Sequence, residues 1–262
     1  MSILAHPRAR RCAPVLVLAF LLAVLAPAPE ARAAGTMIDI ASGNETIRAY
    51  LARPAGGGKK GTPAVVVVQE WWGLDPWVKG VADRLASDGY VAIAPDLYRG
   101  QLATDAQHAH ELLRGLPDER ALRDIRAASA HVRAKAAGEA KKVGVIGFCM
   151  GGRLALLSAL DKGPFDAVVV AYGSPETNPA RLKTLRAPVL GIFGGADRGI
   201  GRDQTSALEA GLAKAGRKGR VIVYPDAQHG FLNDARPQQH DPASSLLAWA
   251  EVREFLADRL KK

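Results

Sequence analysis

The sequence predicts an α/β fold with a mostly parallel central sheet and helices on both faces. Two observations support this prediction: apolar runs of strand length recur along the chain, and helical patterns separate most of them. Parallel strands need long crossover connections, so alternating strands and helices of this length build a sheet that is covered on both sides. Ligands of such sheets bind beyond the carboxyl ends of the strands.

The first 34 residues are predicted to be a signal peptide and not part of the fold. Arg8, Arg10 and Arg11 precede an uncharged stretch, and small residues suited to cleavage follow that stretch. Its uninterrupted apolar part, Val15–Ala26, is shorter than the roughly 20 residues that a membrane-spanning helix needs. We therefore expect an exported protein, periplasmic or secreted, without a membrane span after cleavage near Ala34. An uncleaved membrane anchor is the alternative.

Residues 35–262 are predicted to form a single α/β domain, because 262 − 34 = 228 residues suffice for one full hydrophobic core. The formal charge of +9 for the whole chain falls to about +6 without the signal segment, which carries four arginines and one glutamate. The remaining basic residues are scattered, without a basic run or interleaved aromatics, so no nucleic-acid partner is expected. The oligomeric state is left open, and a monomer is compatible with the sequence.

The elements follow in order. Two alternating runs, Met37–Ile40 and Thr46–Ala52, indicate an antiparallel hairpin, because turn-forming residues separate them. A continuous β-branched run indicates a strand at Ala64–Val68. Further strands are predicted at Tyr90–Ala94, Lys142–Ile146, Ala167–Ala171, Val189–Phe193 and Arg220–Tyr224. Helical patterns are found at Trp77–Ser87, in two helices up to about Ala137, from Leu154, near Asp203–Ala215 and at Pro242–Leu260.

A Gly-x-nucleophile-x-Gly turn joins a predicted strand to a predicted helix at Gly147–Gly152. Such a turn needs glycines, because a Cβ at the flanking positions would crowd the neighbouring strand and helix. The nucleophile position holds Cys149. A thiol there lies at a helix N-terminus, whose dipole favours a thiolate. The alternative is that Cys149 is a small buried apolar residue in a glycine-rich turn.

Cysteine usage favours the functional interpretation of this thiol. Removal of the signal segment also removes Cys12 and leaves Cys149 as the one cysteine, so an internal disulfide is not possible. An unpaired thiol in an oxidising compartment is a liability unless it is buried or used.

A nucleophile of this kind needs a base and an acid that orients the base, in the chain order nucleophile, acid, histidine. Asp197 follows the strand Val189–Phe193, and His229 follows the strand Arg220–Tyr224, so each side chain can emerge at the same sheet edge. Separately, Asp197 could be a turn residue and His229 a surface histidine. Asp226 is a rival acid. No metal site is expected from the spacing of the histidines, cysteines and carboxylates, and no cofactor is predicted.

Four segments in this order resemble the dienelactone hydrolase family of the α/β-hydrolase fold. They are Gln69–Leu74, Pro95–Gly100, Gly147–Gly152 and His229–Phe231. The resemblance extends from about Met37 to the C-terminus. It implies that Cys149 is the nucleophile, that His229 is the general base and later the acid, and that Asp197 orients His229.

The resemblance also implies roles for five further residues. Glu70 would contact the resting thiol and help to take its proton when substrate binds. The backbone N–H groups of Met150 and Trp71 would form the oxyanion hole. Trp72 would line an acyl or lactone pocket together with Trp71, although such an aromatic pair is equally typical of a core. Arg99 is similar to a family arginine that pairs with the substrate carboxylate, and its alternative is an exposed arginine.

One feature of the family's dienelactone-degrading members is not matched. A second carboxylate-binding arginine is expected a few residues after the histidine, whereas Leu232 and Asn233 follow Phe231 and the nearest candidate is Arg236. This departure leaves ester or lactone cleavage intact and makes the dienelactone itself a weaker expectation.

The predicted function is therefore a cofactor-free hydrolase of the carboxymethylenebutenolidase type, which cleaves a carboxylic ester or lactone through an acyl-cysteine intermediate. The expected partner is a small-molecule substrate, anionic if Arg99 binds it. Three alternatives stay open: a broad-specificity short-chain carboxylesterase or thioesterase, a non-catalytic ligand-binding member of the fold, and a redox protein that uses Cys149 alone. The absence of a resolving cysteine disfavours the redox alternative.

Overall fold

The computed structural model describes residues 34–134, 139–161 and 163–262. The predicted signal peptide lies outside the described residues except for Ala34, and so does the end of the helical segment predicted to reach Ala137. Within the described part of the chain, no helix is long and apolar enough to cross a membrane.

The strands form one mixed sheet, as the alternation of apolar runs predicts. Its strands are β1 (Thr36–Ser42), β2 (Glu45–Ala52), β3 (Ala64–Val68), β4 (Val91–Pro95), β5 (Val143–Phe148), β6 (Ala167–Ala171), β7 (Val189–Gly194) and β8 (Gly219–Tyr224). They lie side by side in the order β1-β2-β4-β3-β5-β6-β7-β8. β2 runs antiparallel to both β1 and β4, and every other neighbouring pair is parallel. The predicted hairpin and the mostly parallel sheet are both confirmed.

The helices are α1 (Pro76–Ser87), α2 (Ala106–Arg114), α3 (Asp118–Arg133), α4 (Met150–Leu160), α5 (Pro179–Leu182), α6 (Arg202–Lys214) and α7 (Pro242–Leu260). The single turn of α5 has no predicted counterpart, because four residues are too few to show a helical period. It begins where the Asn178 side chain accepts a hydrogen bond from the N–H of Ala180 and Pro179 fixes the first helical φ.

Helices cover both faces of the sheet. Apolar residues of α1 and α7 pack in one buried cluster, and those of α3, α4 and α6 pack in another. Neighbouring strand residues divide between the two clusters: Val65 and Val67 of β3 belong to the first, and Val66 and Val68 to the second. Successive side chains of a strand point to opposite faces, so a strand covered on both sides is apolar throughout.

The strand order determines where functional side chains can meet. β3, β5, β6, β7 and β8 are consecutive in the sheet and parallel, so their carboxyl ends lie along one edge. The loops that follow these strands carry Glu70, Cys149, Asp197 and His229. One edge of the sheet therefore gathers residues that are up to 159 positions apart in the sequence (229 − 70).

Candidate active site

Cys149 occupies a sharp turn between β5 and α4. Its φ of 52° and ψ of −118° are unusual for a residue with a side chain, and α4 begins at the next residue. A Cβ added to Gly147 would lie 1.9 Å from the carbonyl oxygen of Gly151, and one added to Gly151 would lie 2.3 Å from that of Val68. The glycines are therefore required by the close approach of the turn to β3, and the half-buried thiol projects at the sheet edge.

Asp197 and His229 form a hydrogen-bonded pair at the neighbouring strand ends. The distance from His229 Nδ1 to Asp197 Oδ2 is 2.7 Å. The other carboxylate oxygen, Oδ1, accepts hydrogen bonds from the backbone N–H groups of Gly199 and Ile200 at 2.8 and 3.1 Å. Burial raises the pKa of Asp197, but the hydrogen bonds and the charge of His229 outweigh burial and hold that pKa below its usual value. The Asp197 carboxylate is thus held in one orientation and stays negatively charged.

The pKa of His229 is raised to about 10. Burial lowers it, but hydrogen bonds to Asp197 and Cys149 and the charges of both partners outweigh burial. The imidazole therefore lies within interaction distance of the thiol on one side and of a carboxylate on the other. Asp226, the rival acid, is exposed and makes no hydrogen bond to His229 among the described residues.

Glu70 is a buried carboxylic acid near the start of the loop that follows β3, with 4% of its surface exposed. Its Oε2 accepts a hydrogen bond of 2.8 Å from Nδ2 of Asn233. Burial raises the pKa of Glu70 to about 7, although Asn233, Tyr172 and His229 oppose the increase. Glu70 and Cys149 line the same cavity, so a carboxyl group that titrates near neutral pH borders the cavity that contains the thiol.

Sequence reasoning missed two residues of the site, Asn233 and Tyr172. Asn233 is buried and holds Glu70, and the signal for it was its place four residues after His229. Tyr172 follows β6, the strand between those of Cys149 and Asp197, and this place at the sheet edge was its signal. Its ring packs against His229, with 5.3 Å between the ring centroids.

Tyr172 also has an unusual backbone and a buried hydroxyl. Its φ of 39° lies in the left-handed region, which residues with side chains rarely adopt. The hydroxyl faces the Glu70 carboxyl, but within the described part of the chain it makes no hydrogen bond of normal geometry. Burial and the negative charges of Glu70 and Cys149 raise the pKa of Tyr172 well above its usual value, so the phenol stays neutral.

The thiol and the imidazole open into a cavity of about 410 Å³. Glu70, Asp197, Trp71 and Trp72 are among its lining residues, and the two indole rings contact each other edge to face at 5.1 Å. The volume and the combination of aromatic walls with a few polar groups are typical of a small-molecule site.

The residues predicted to supply the oxyanion hole directly follow Cys149 and Glu70 in the chain. Met150 is the first residue of α4, and Trp71 directly follows Glu70. Among the described residues, neither backbone N–H donates to another backbone group. Both groups are thus available to a ligand oxygen at this end of the cavity.

Arg99 does not line the cavity, contrary to its predicted contact with substrate. Its guanidinium forms ion pairs with Asp124 at 2.7 Å and with Glu45 at 2.9 Å. Asp124 is fully buried on α3, and a buried carboxylate is costly without a charged partner. The structure therefore directs Arg99 towards the hairpin and α3. Arg236, the nearest candidate for the second arginine, stacks on the Trp72 ring at 3.6 Å beside the cavity.

Comparison with known proteins decides the family. The profile of the dienelactone hydrolase family matches residues 47–260, which is most of the chain and includes every residue of the site described above. The chain belongs to the dienelactone hydrolase family. This membership confirms the resemblance predicted from the four motifs and, together with the sheet order, the α/β-hydrolase fold.

Similar proteins agree with this membership. The chain is 35% identical over 247 residues to a Salmonella typhimurium protein named "Putative carboxymethylenebutenolidase", with 87% of this chain and 89% of the relative covered. A protein of the same name from Aquifex aeolicus is 32% identical, with 87% of this chain and 100% of the relative covered. The crystal structure of a "Putative Dienelactone Hydrolase" from Klebsiella pneumoniae superposes with a TM-score of 0.75 at 30% identity, covering 85% of this chain and 98% of that one. The chain is thus a hydrolase of the dienelactone hydrolase type.

Proposed function

We propose that this hydrolase cleaves a carboxylic ester or lactone through an acyl-cysteine intermediate, with Cys149, His229 and Asp197 as its catalytic triad. One observation carries the proposal: a cysteine on a strained strand-to-helix turn opens into the same cavity as a histidine that is held at 2.7 Å by a buried aspartate. A nucleophile, a base and an orienting acid are the parts that acyl transfer requires.

In the first half of the proposed reaction, the Cys149 sulfur attacks the carbonyl carbon of the substrate. The S–C bond forms, and the carbonyl oxygen becomes an oxyanion next to the N–H groups of Met150 and Trp71. The C–O bond to the leaving alcohol then breaks, and the His229 imidazolium supplies the proton that this alkoxide needs. In a lactone, the alcohol stays attached to the acyl group through the opened ring.

In the second half, water hydrolyses the acyl-cysteine. Neutral His229 accepts a proton from water as the water oxygen attacks the thioester carbon, and the C–S bond then breaks to release the carboxylic acid. Asp197 stabilises the imidazolium that is present before the first half and forms again in the second, which agrees with the raised pKa of His229. The thiolate released with the acid then regains the proton that Glu70 took.

Glu70 is proposed to take the thiol proton when substrate binds. Its buried carboxyl borders the cavity and titrates close to neutral pH, so it can hold or accept a proton under ordinary conditions.

The test of the proposed function is kcat/KM on a dienelactone and on p-nitrophenyl acetate, for the wild type, Cys149→Ala and Cys149→Ser. We expect Cys149→Ala to lose about 10⁴-fold or more in kcat/KM, because the nucleophile is removed. Cys149→Ser should keep a small residual rate, since a hydroxyl remains at the same position. Undiminished hydrolysis by Cys149→Ala would contradict the proposal.

The position of Arg99 favours a second candidate, a broad-specificity short-chain carboxylesterase or thioesterase. The guanidinium predicted to bind a substrate carboxylate is engaged by Asp124 and Glu45. A panel of neutral and anionic esters and thioesters of equal chain length separates the candidates. Similar kcat/KM values across the panel support the broad esterase, and a preference for anions of tenfold or more supports the dienelactone type.

We also propose that the protein is exported and that its signal peptide is cleaved near Ala34. The arginines, the apolar stretch and the small residues of the first 34 positions support this proposal. The intact mass of the protein recovered from the periplasm tests it, because cleavage removes a segment of known mass. Recovery of the full-length chain in the membrane fraction would instead support the uncleaved anchor.

A further inference from the structure

The contact between Asn233 and Glu70 joins two loops that carry different parts of the site. Asn233 lies four residues beyond His229, and Glu70 directly precedes Trp71. The Nδ2–Oε2 distance is 2.8 Å, and the two residues are 1% and 4% exposed. A hydrogen bond to a carboxylate in such a dry environment is strong, and its loss would leave a buried polar group without its partner.

The orientation of the Asn233 amide follows from its second hydrogen bond. Oδ1 accepts a hydrogen bond of 3.0 Å from the backbone N–H of Ala235, which is a donor only. The NH₂ group must therefore face Glu70, where it can only donate. Asn233 is satisfied on both sides, and its geometry is set by the loop and not by Glu70 alone.

The Glu70 carboxyl has no cation of lysine or arginine paired with it among the described residues. The titratable groups that face it come from several elements: Tyr172 after β6, Asp75 before α1, His229 after β8 and, across the cavity, Cys149 before α4. Of these, Tyr172 and His229 favour the charged carboxylate and lower the pKa of Glu70, whereas Asp75 disfavours the charged form. An amide donor orients a carboxylate without supplying a full charge, so Glu70 remains able to gain and lose a proton.

We infer that Asn233 is a positioning residue: its amide fixes the Glu70 carboxyl at the cavity wall and leaves that carboxyl free to take the Cys149 proton. The inference rests on the proposed function, in which Glu70 accepts this proton. In the step, the S–H bond breaks and an O–H bond forms, so the carboxylate becomes a neutral acid as the thiol becomes a thiolate. One negative charge moves from oxygen to sulfur, and no further reactant is needed.

The decisive variant is Asn233→Asp, which keeps the shape of the side chain and an oxygen for the Ala235 N–H but replaces the donor to Glu70 with an acceptor. Two carboxyl groups in contact share a proton, so the apparent pKa of the Glu70 site rises. Asn178→Asp is the matched control, because Asn178 caps α5 and aspartate caps a helix equally well.

The readout is the rate of alkylation of Cys149 by iodoacetamide between pH 5 and 9, measured together with the pH profile of kcat/KM on p-nitrophenyl acetate. We expect the wild-type alkylation profile to show an inflection near pH 7 that Glu70→Gln removes. Asn233→Asp should move this inflection up by one pH unit or more, and Asn178→Asp should leave it in place. In the Glu70→Gln background, Asn233→Asp should have no further effect on the inflection.

An inflection that does not move in Asn233→Asp would overturn the inference, even if kcat falls, because a merely structural residue lowers activity without changing the titration of Glu70. If Asn233→Asp does not fold, Asn233→Ala removes the donor to Glu70 without adding a charge, and it should also move the inflection to higher pH. Alkylation requires no turnover, so the two proposals fail separately. A wild type that cleaves no ester contradicts the proposed function, whereas an unmoved inflection contradicts the role of Asn233.

Discussion

Two ionisable side chains of the cavity, Glu70 and His229, have raised pKa values for different physical reasons. The pKa of Glu70 rises because burial penalises its charged form. The pKa of His229 rises although burial opposes the change, because Asp197 and Cys149 stabilise the imidazolium. Glu70 thus stays protonated up to a higher pH than an ordinary glutamate, and His229 stays protonated up to a higher pH than an ordinary histidine.

Asp197→Asn tests the origin of the His229 pKa. An amide cannot stabilise the imidazolium as a carboxylate does, so the pKa of His229 should fall from about 10, and kcat/KM should fall roughly 10²- to 10⁴-fold. NMR titration of the His229 ring and steady-state kinetics measure the two effects. Asp226→Asn is the matched control, because Asp226 is exposed and should change neither. Equal losses in the two variants would show that Asp197 is not the orienting acid.

The stability of Glu70→Gln as a function of pH tests whether burial raises the pKa of the Glu70 carboxyl. Between pH 4.5 and about 7 the folded protein retains a proton on Glu70 that the unfolded chain has released. Stability therefore falls as the pH rises through this window and levels off above it, by about 3 kcal/mol in all. Glutamine does not ionise, so Glu70→Gln should not lose this stability. The free energy of unfolding of the variant minus that of the wild type should therefore be larger at pH 8 than at pH 4. Urea unfolding at pH 4 and pH 8 measures these free energies. A difference between variant and wild type that is the same at both pH values would contradict the raised pKa of Glu70.

The sequence was sufficient to predict the triad residues as candidates but not the contacts that tune them. Cys149, Asp197 and His229 each follow an apolar run, and parallel strand ends meet at one edge. Tyr172 also follows an apolar run and Asn233 lies four residues after His229, but neither position by itself indicates a role in the site. Both residues matter because they contact Glu70, which lies 163 and 102 positions away in the chain (233 − 70 and 172 − 70). Contacts between residues so far apart cannot be predicted from local patterns in a single sequence.

Among the elements, the turn between β5 and α4 depends most strongly on residue type. Gly147→Ala would place a Cβ 1.9 Å from the Gly151 oxygen, so we expect a loss of stability of about 3 kcal/mol or more together with lost activity. Gly80→Ala is the matched control, because a Cβ there meets nothing within 4 Å on α1. It should stabilise the protein by up to about 1 kcal/mol. Urea unfolding measures both, and equal effects would contradict the tight turn.

The hairpin of β1 and β2 is tied to α3 by a cluster of charged and polar groups around Asp124. Ser42 donates to this buried carboxylate at 2.6 Å, and Arg99 and Arg123 pair with it. Arg99 was correctly predicted to follow a strand, but its predicted partner was the carboxylate of the substrate. Its partners, Glu45 and Asp124, are 54 and 25 residues away and could not be paired with it from local patterns (99 − 45 and 124 − 99).

Arg99→Ala should therefore affect stability and not substrate binding. Removal of one charged partner of a buried carboxylate should cost about 2 kcal/mol, while kcat/KM on an anionic ester stays within about threefold of the wild type. Arg198→Ala is the comparison, because Arg198 lines the cavity at the surface and should alter stability by less than about 0.5 kcal/mol. A large rise in KM for anionic esters in Arg99→Ala alone would restore the predicted role in substrate binding.

For the whole molecule, alternation of strand and helix was enough to predict the fold class, because the apolar runs of the central strands β3 to β7 are buried throughout in the parallel part of the sheet. The order of the strands was not predictable in the same way. β3 lies between β4 and β5, so the chain reverses direction across the sheet, and Glu70 after β3 becomes the neighbour of Cys149 after β5. That reversal assembles the site.

A protein that begins at Gly35 should fold and function as the full chain does. The Gly35 nitrogen donates to Asp83 Oδ1 at 2.9 Å, and Asp83 also accepts from the Tyr50 hydroxyl. In the shortened protein this nitrogen becomes an ammonium, so stability should decrease as the pH rises through the pKa of this amine, which is roughly 8 in an unperturbed chain. Asp83→Asn should weaken that dependence. Thermal unfolding at pH 7 and 9.5 measures it, and failure of residues 35–262 to fold would contradict the single domain.

Acyl transfer to Cys149 can be detected as a change in the intact mass of the enzyme during turnover. His229→Ala is mixed with p-nitrophenyl acetate and quenched in acid, because loss of the base slows hydrolysis of the intermediate. We expect a mass increase of one acetyl group, located by peptide mapping at Cys149 and absent from the variant that carries both His229→Ala and Cys149→Ala. Acetylation at another residue, or the same adduct in the double variant, would contradict acyl transfer to Cys149.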